Sequence, residues 1–248
     1  MKTKCLVDRY KMERAVLAVS QDIYLKDRKN WMRMTEEELW NELVSCILGS
    51  RVRYETAFSA VTHLIECKSL RLSTLLANPK AAEKKISCEL SKRIYEQVSN
   101  GKLKVYPFPN IKAKQIVDTA LEIYKRSQTK LIKILSKSAD PFKARLTLIE
   151  KCKGIGFKQS SLFLRNISYC DNLAILDSHV LRFMDLVLLD GNLKLTKSRY
   201  LFFEELLYNY ALLKGVSLAV LDIAIWIVMR VVKGEFVYEH CKPCVGWN

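Results

Sequence analysis

Glycine and proline are both scarce in this chain, eight and five among 248 residues. That shortage argues against a loop-rich all-β protein and towards helices joined by short turns. Uninterrupted apolar runs are missing too. The longest apolar stretch, Val216 to Val232, is broken by Asp222 and Arg230, so a buried helix is expected there rather than a membrane span. The N-terminal MKTKCLVDRYKMERAVLAV lacks an unbroken apolar core and a small-residue cleavage pattern, and no secretory signal is expected from it. Acidic residues are outnumbered: 26 Asp plus Glu stand against 41 Lys plus Arg, a net charge of +15. A globule this basic attracts polyanions and gains affinity by releasing counterions from nucleic acid. Acidic membranes, heparin and ribosomes answer to the same charge, so charge favours nucleic acid without specifying it. Eight cysteines at irregular spacing, mostly in helical segments, read as reduced thiols rather than a disulfide framework. The expected compartment is the cytoplasm (nucleoid) in a bacterium or archaeon and the nucleus in a eukaryote.

What is present is helical period almost throughout. Thr35-Glu36-Glu37-Glu38 reads as a capping box, followed by the apolar stripe Leu39, Trp40, Leu43, Val44 and Ile47 up to Gly49. A second helix is predicted over Tyr54–Cys67, with shorter ones between Leu72 and Asn100. Two prolines one residue apart in Val105-Tyr-Pro-Phe-Pro-Asn110 demand an extended or turned segment, and a helix is predicted from Ile111 to Arg126. Asp140-Pro141 is a strong helix start. The helix it opens ends at Lys153-Gly154-Ile155-Gly156, where another begins at Phe157. Asp177 opens a further helix, and two more cover Lys197–Leu213 and Val216–Lys233. No convincing strand or internal repeat is found. The fold class expected is all-α.

The turn at Gly154-Ile155-Gly156 joins two helices through glycines that permit positive φ and leave the backbone bare. Successive amide N–H groups beside a helix start make a concave donor site suited to phosphate, although glycine at such a turn also serves as an ordinary C-cap. Lys158 follows two residues past the second glycine, and Asp177-Ser178-His179 lies nineteen residues beyond it. This pattern, G-h-G-x-K followed by D-x-H, resembles the helix-hairpin-helix, GPD-type DNA glycosylases. The stretch Lys153–Asn166, with its Phe163-Leu164-Arg165-Asn166, and Ala174–His179 are most similar to the type 2 8-oxoguanine DNA glycosylases. Two distant segments extend the resemblance: Pro107-Phe108-Pro109-Asn110-Ile111-Lys112-Ala113, and Leu221-Asp222-x-x-x-Trp226 ending in Lys233-Gly234-Glu235.

The resemblance implies a two-lobed helical fold, with residues 1–50 and 171–248 in one lobe and 51–170 in the other, the hairpin occupying about 141–167. It implies a bifunctional N-glycosylase and AP lyase that flips a modified base, 8-oxoguanine first, out of double-stranded DNA. Lys158 is then the amine nucleophile, displacing the base and forming a Schiff base with the opened sugar. Asp177 is the carboxylate that stabilises positive charge on the sugar; Asp at a helix start also serves simply as an N-cap, and it can do both. Gly154, Ile155 and Gly156 grip phosphate, His179 contacts phosphate near the site, and Phe108 and Trp226 sandwich the flipped base. Large aromatics at such positions more often serve the core.

The match is not complete. Where related enzymes carry a glutamine after the Leu39–Leu48 helix, this chain has Gly49-Ser50-Arg51-Val52, and Arg51 is the candidate to fill the stack or bind phosphate. Pro107 replaces an arginine before Phe108. The chain also continues past Glu235 with a tail containing His240-Cys241-x-x-Cys244, and two cysteines are too few for an iron–sulfur cluster and an incomplete zinc set. No metal and no cofactor are expected, nor a membrane, and the protein is expected to be monomeric. Two rival readings stand beside this one: a glycosylase of the same fold acting on another modified or hypermodified base, and a non-catalytic protein using the hairpin only as a phosphate clamp.

Overall fold

The structure, a computed structural model, describes residues 9–25, 29–95, 103–138, 140–188 and 196–232. From the N-terminus come α1 (Arg9–Gln21), a 3-10 turn (Trp31–Arg33), α2 (Glu36–Leu48) and α3 (Tyr54–Glu66). Next, α4 (Leu72–Ala77) and α5 (Pro79–Ser91) lead to a two-stranded antiparallel pair, β1 (Arg93–Tyr95) and β2 (Leu103–Val105). Helix α6 (Pro109–Ala120) runs on into a π-helical turn (Leu121–Arg126), followed by α7 (Leu131–Lys137), α8 (Pro141–Lys151) and α9 (Phe157–Asn166). The remaining helices are α10 (Ser178–Val187), α11 (Lys197–Leu213) and α12 (Leu218–Val231). The fold is all-α, as expected. No single helix among the described residues is long and apolar enough to cross a membrane.

Two compact units divide the chain: Arg28–Cys170, and Met1–Asp27 with Asp171–Asn248. The expected boundary near residue 50 is therefore corrected, because α2 belongs with the central unit. Its stripe Leu39, Trp40, Leu43, Val44 and Ile47 is wholly buried, and it packs on α3, α6, α7 and α9. Each of these side chains contributes about 1.5–3 kcal/mol on burial. The Trp40 indole N–H also donates to the Leu70 carbonyl at 3.0 Å, so the largest core residue leaves no polar atom stranded.

Several starts follow local chemistry. The Thr35 hydroxyl accepts from the Glu38 N–H at 3.2 Å while Glu38 accepts from the Thr35 N–H at 2.7 Å, closing the capping box at the head of α2. Asp140 accepts from the Phe142 N–H at 2.9 Å ahead of α8. Helix α6 begins at Pro109, two residues earlier than expected, because proline fits the first helical position, where its missing N–H is no loss.

Some elements escape the sequence reading, the strand pair and α7 among them. The pair β1 and β2 registers Arg93 with Val105, Ile94 with Lys104 and Tyr95 with Leu103; three residues are too few to show a period of two. Helix α7 has no cap of its own at Lys130. Glu36 of α2 caps it instead, its carboxylate accepting from the Leu131 N–H at 2.6 Å, the Ile132 N–H at 3.1 Å and the Tyr124 hydroxyl at 2.7 Å.

The unit containing both termini builds a platform for one short segment. Helix α12 packs on α1, α10 and α11. The Leu173–Leu176 run has no helix of its own to satisfy its backbone, and side chains of α11 and α12 do so. Glu204 accepts from the Ala174 N–H at 2.9 Å and the buried Asp222 from the Ile175 N–H at 2.8 Å. Tyr200 donates to the Ala174 carbonyl at 2.8 Å and accepts from the Leu176 N–H at 3.4 Å. These bonds fix the approach to α10.

Candidate active site

The hairpin lies between α8 and α9. Gly154 has φ +81°, the left-handed region that favours glycine. Gln115 lies directly against it: a Cβ there would come within 2.1 Å of its Oε1. The preceding Lys153 N–H donates to the Thr119 hydroxyl at 2.9 Å, tying the turn to α6. Ile155 points into the core, so only its backbone is available to a ligand. Gly156 is exposed and its conformation needs no glycine; a Cβ there would meet nothing within 4 Å. No side chain caps α9, so its first N–H groups stay available to an anion.

Arg145 locks the two hairpin helices together. Buried in α8, it donates to the Ser161 hydroxyl of α9 at 3.2 Å. Its guanidinium also lies 4.9 Å from the ring centre of Phe157 and 5.3 Å from that of Phe142, a cation–π pairing that tolerates burial.

Lys158 occupies the first turn of α9 and is half-buried. It makes no hydrogen bond or ion pair with the described residues. Its ammonium acts electrostatically on Cys46 of α2, whose thiol is pushed well up by burial, and further by Glu42, against the opposing pull of Lys158. Beside it, Gln159 is buried with neither amide atom hydrogen-bonded, and the added Cβ of Gly49 would stand 3.6 Å from its Nε2. The sequence reading singled out neither Cys46 nor Gln159; Gln159 follows Lys158 in the chain, whereas only packing of α2 against α9 brings Cys46 to it.

At the end of α2 stand two further groups that spacing did not reveal. Lys112 is buried and donates to the Ile47 carbonyl at 2.7 Å, while the Tyr106 hydroxyl donates to the Leu48 carbonyl at 2.5 Å. The first adds to the bond that the Ile47 carbonyl accepts from the Ser50 N–H at 3.3 Å, and the second serves a carbonyl at the helix end, where intrahelical partners run out. Burial, with help from Arg51, lowers the Lys112 ammonium to about 8. Arg51 follows this helix end with φ +64° and an exposed side chain. Phe108 stands at the N-cap position of α6 and is 38% exposed.

Asp177, His179 and Trp226 belong to the other unit. Asp177 is the N-cap of α10: its Oδ1 accepts from the His179 N–H at 2.8 Å and the Val180 N–H at 2.9 Å. Both bonds use one oxygen, and Oδ2 makes none among the described residues. The carboxylate can therefore cap and still present a charged face. His179 Nδ1 lies 3.0 Å from a guanidinium nitrogen of Arg182. A guanidinium can only donate, so Nδ1 accepts and a neutral ring carries its proton on Nε2, ready to donate to an anion. Trp226 is half-buried, with the Arg230 guanidinium 4.6 Å from its ring centre. The segment Lys233-Gly234-Glu235 and the tail cysteines Cys241 and Cys244 lie outside the described residues.

Comparison with known proteins bears on the chain as a whole. A family model described as 8-oxoguanine DNA glycosylase, of the helix-hairpin-helix kind, matches residues 23–215. The 8-oxoguanine DNA glycosylase/AP lyase of Sulfurisphaera tokodaii is 31% identical over 223 residues, 89% of this chain and 94% of that one. Among solved structures, the 8-oxoguanine DNA glycosylase of Thermotoga maritima aligns with TM-score 0.64 and 27% identity, over 91% of this chain and 96% of the other. The Methanocaldococcus jannaschii 8-oxoguanine glycosylase/lyase, crystallised with a 15-mer DNA containing 8-oxoguanine, shares the fold at TM-score 0.62 and 22% identity, over 91% of each chain. On the span of the family model and the full-length relative, the chain belongs to the 8-oxoguanine DNA glycosylase family.

Proposed function

We propose that this protein excises a modified base, 8-oxoguanine first, from double-stranded DNA and then nicks the strand at the abasic sugar. Family membership supports the activity. The observation that supports the mechanism is the state of Lys158: half-buried, on the first turn of the helix after a glycine hairpin, and engaged by no carboxylate among the described residues. A lysine kept for an ion pair would have a partner; one kept for nucleophilic attack must not.

In this reading, the uncapped start of α9 and the bare Gly156 receive a backbone phosphate, and His179 donates to another. The flipped base rests against Phe108 and Trp226, and Arg51 enters the gap it leaves or binds a phosphate. As the bond from C1′ to the base lengthens, Asp177 stabilises the cationic sugar. Lys158, after its ammonium gives a proton to solvent, attacks C1′; the base leaves with the bond's electron pair and takes up the proton that the newly bonded nitrogen sheds. Ring opening gives an imine between Lys158 and C1′. Loss of a C2′ proton then expels the 3′ phosphate and breaks the strand by β-elimination. The protein itself needs no cofactor for these steps and acts as a monomer.

Arg51, at the place where relatives carry glutamine, favours a second reading: the same chemistry on a different lesion or opposite base. Strand cleavage of duplexes with 8-oxoguanine opposite each normal base, and of a panel of other single lesions, separates the two. Wild type cuts, while Lys158→Gln and Asp177→Asn do not. Undiminished cutting by Lys158→Gln overturns the mechanism, and preference for another lesion overturns the substrate.

A further inference from the structure

We propose that His63, Cys67 and Glu89 form a zinc site that staples α3 to α5. His63 and Cys67 are four residues apart at the end of α3 and so share one face. The Cys67 N–H donates to the His63 carbonyl at 3.0 Å, fixing that spacing. Glu89 comes from α5, and its Oε2 is 2.8 Å from His63 Nε2. The three donor atoms, one nitrogen, one sulfur and one oxygen, all lie within 4.8 Å of one another. Tetrahedral zinc with bonds of about 2.0–2.3 Å sets its ligands roughly 3.3–3.8 Å apart, so sub-ångström to one-ångström shifts of side chains suffice. A thiolate with an imidazole selects zinc over magnesium or calcium, which take oxygen ligands; water completes the fourth position.

The surroundings are already arranged to support such ligands. The Cys67 sulfur lies 3.0 Å from the Ser69 hydroxyl, which is buried and can orient the thiolate. Backbone also holds this turn: Lys68 is left-handed at φ +55°, the Ser69 N–H donates to the Leu64 carbonyl at 2.9 Å, and Lys85 donates to the Cys67 carbonyl at 3.1 Å. Lys92 reaches Glu89 Oε1 at 2.7 Å and Oε2 at 2.8 Å. It can keep Oε1 while Oε2 turns to the metal. On binding, the Cys67 S–H proton passes to solvent, and the His63 proton moves from Nε2 to Nδ1, so the ion meets one thiolate, one carboxylate and a neutral ring. The sequence reading looked for metal in the tail and missed this set, whose third member is 22 residues from the second.

The test uses the full chain, stripped with chelator and dialysed against zinc or cobalt(II) alone. Wild type should retain one zinc per chain and melt several degrees higher with it. Its cobalt form should show a sulfur-to-cobalt charge-transfer band. Cys67→Ser and His63→Gln should lose the zinc, the band and the melting shift while keeping their metal-free melting curves. Cys88→Ser and the double variant Cys241→Ser/Cys244→Ser should keep all three. No bound zinc in wild type overturns the proposal, as does an undiminished band in Cys67→Ser or loss confined to the tail variant.

Discussion

Asp177 is assigned two tasks, capping α10 and stabilising a cationic sugar, and substitution can separate them. Alanine removes both cap bonds, from the His179 and Val180 N–H groups at 2.8 and 2.9 Å. Loss of such a cap costs about 1–2 kcal/mol, and for a chain of this length that lowers Tm by roughly 2–8 °C at about 2–4 °C per kcal/mol. Asparagine keeps an oxygen where both bonds go, because they share Oδ1. It loses only the attraction of the charge to the helix dipole, about 0.5 kcal/mol. Catalysis should order the variants differently. Removing preorganised charge beside a transition state costs about 10²–10³ in rate, so Asp177→Asn should be nearly as inactive as Asp177→Ala while melting close to wild type. Single-turnover excision from a labelled 8-oxoguanine duplex, run alongside thermal melting, measures both. If Asp177→Asn keeps excision within threefold of wild type, the carboxylate is only a cap. If it melts as low as Asp177→Ala, the two-bond cap seen at Oδ1 is wrong.

Gly154→Ala places a side chain at φ +81° and should cost about 1–2 kcal/mol in denaturant unfolding, whereas Gly156→Ala should cost almost none and weaken salt-dependent binding of duplex DNA. Glu36→Ala removes the remote cap of α7 and the Tyr124 contact, two part-buried bonds and one exposed bond; at about 1.5 kcal/mol for each part-buried charged bond, a loss of about 3 kcal/mol is expected, against almost nothing for the exposed Glu37→Ala. The Lys112 ammonium, lowered from its ordinary value to about 8, makes the unfolded chain the better proton binder above pH 8. Relative to Lys112→Met, wild type should therefore gain stability as pH rises from 8 towards 10.5, by at most about 3 kcal/mol, and a flat difference across that window would show the group to be solvated.

Features written in neighbouring residues were legible in the sequence. The capping box at Thr35–Glu38, the start at Asp140-Pro141 and the Gly154–Lys158 turn are each specified within five residues, so spacing and residue type suffice. The proposal of Lys158 and Asp177 as site residues comes from a pattern whose two halves are nineteen residues apart. What could not be read depends on pairing across long separations. Glu36 reaches the backbone of Leu131, 95 residues on, and so α7 had no visible start signal. Asp222 reads as an interruption in an apolar helix, yet its carboxylate holds the Ile175 N–H. The buried amine of Lys112 and the buried amide of Gln159 look like ordinary surface residues of amphipathic helices until α2 packs against α6 and α9. The same packing moved α2 from the terminal unit, where its position in the chain suggested it belonged, into the central one.

The most direct test is to identify the atom that becomes bonded to the sugar. Wild-type protein is mixed with an 8-oxoguanine duplex in the presence of borohydride, the reduced protein–DNA adduct is digested, and the modified peptide is sequenced by mass spectrometry. The expected result is a single adduct on the Nζ of Lys158, in the Gly156–Arg165 segment. An adduct on any other lysine, or base release without any adduct, contradicts the assignment of Lys158 as the nucleophile.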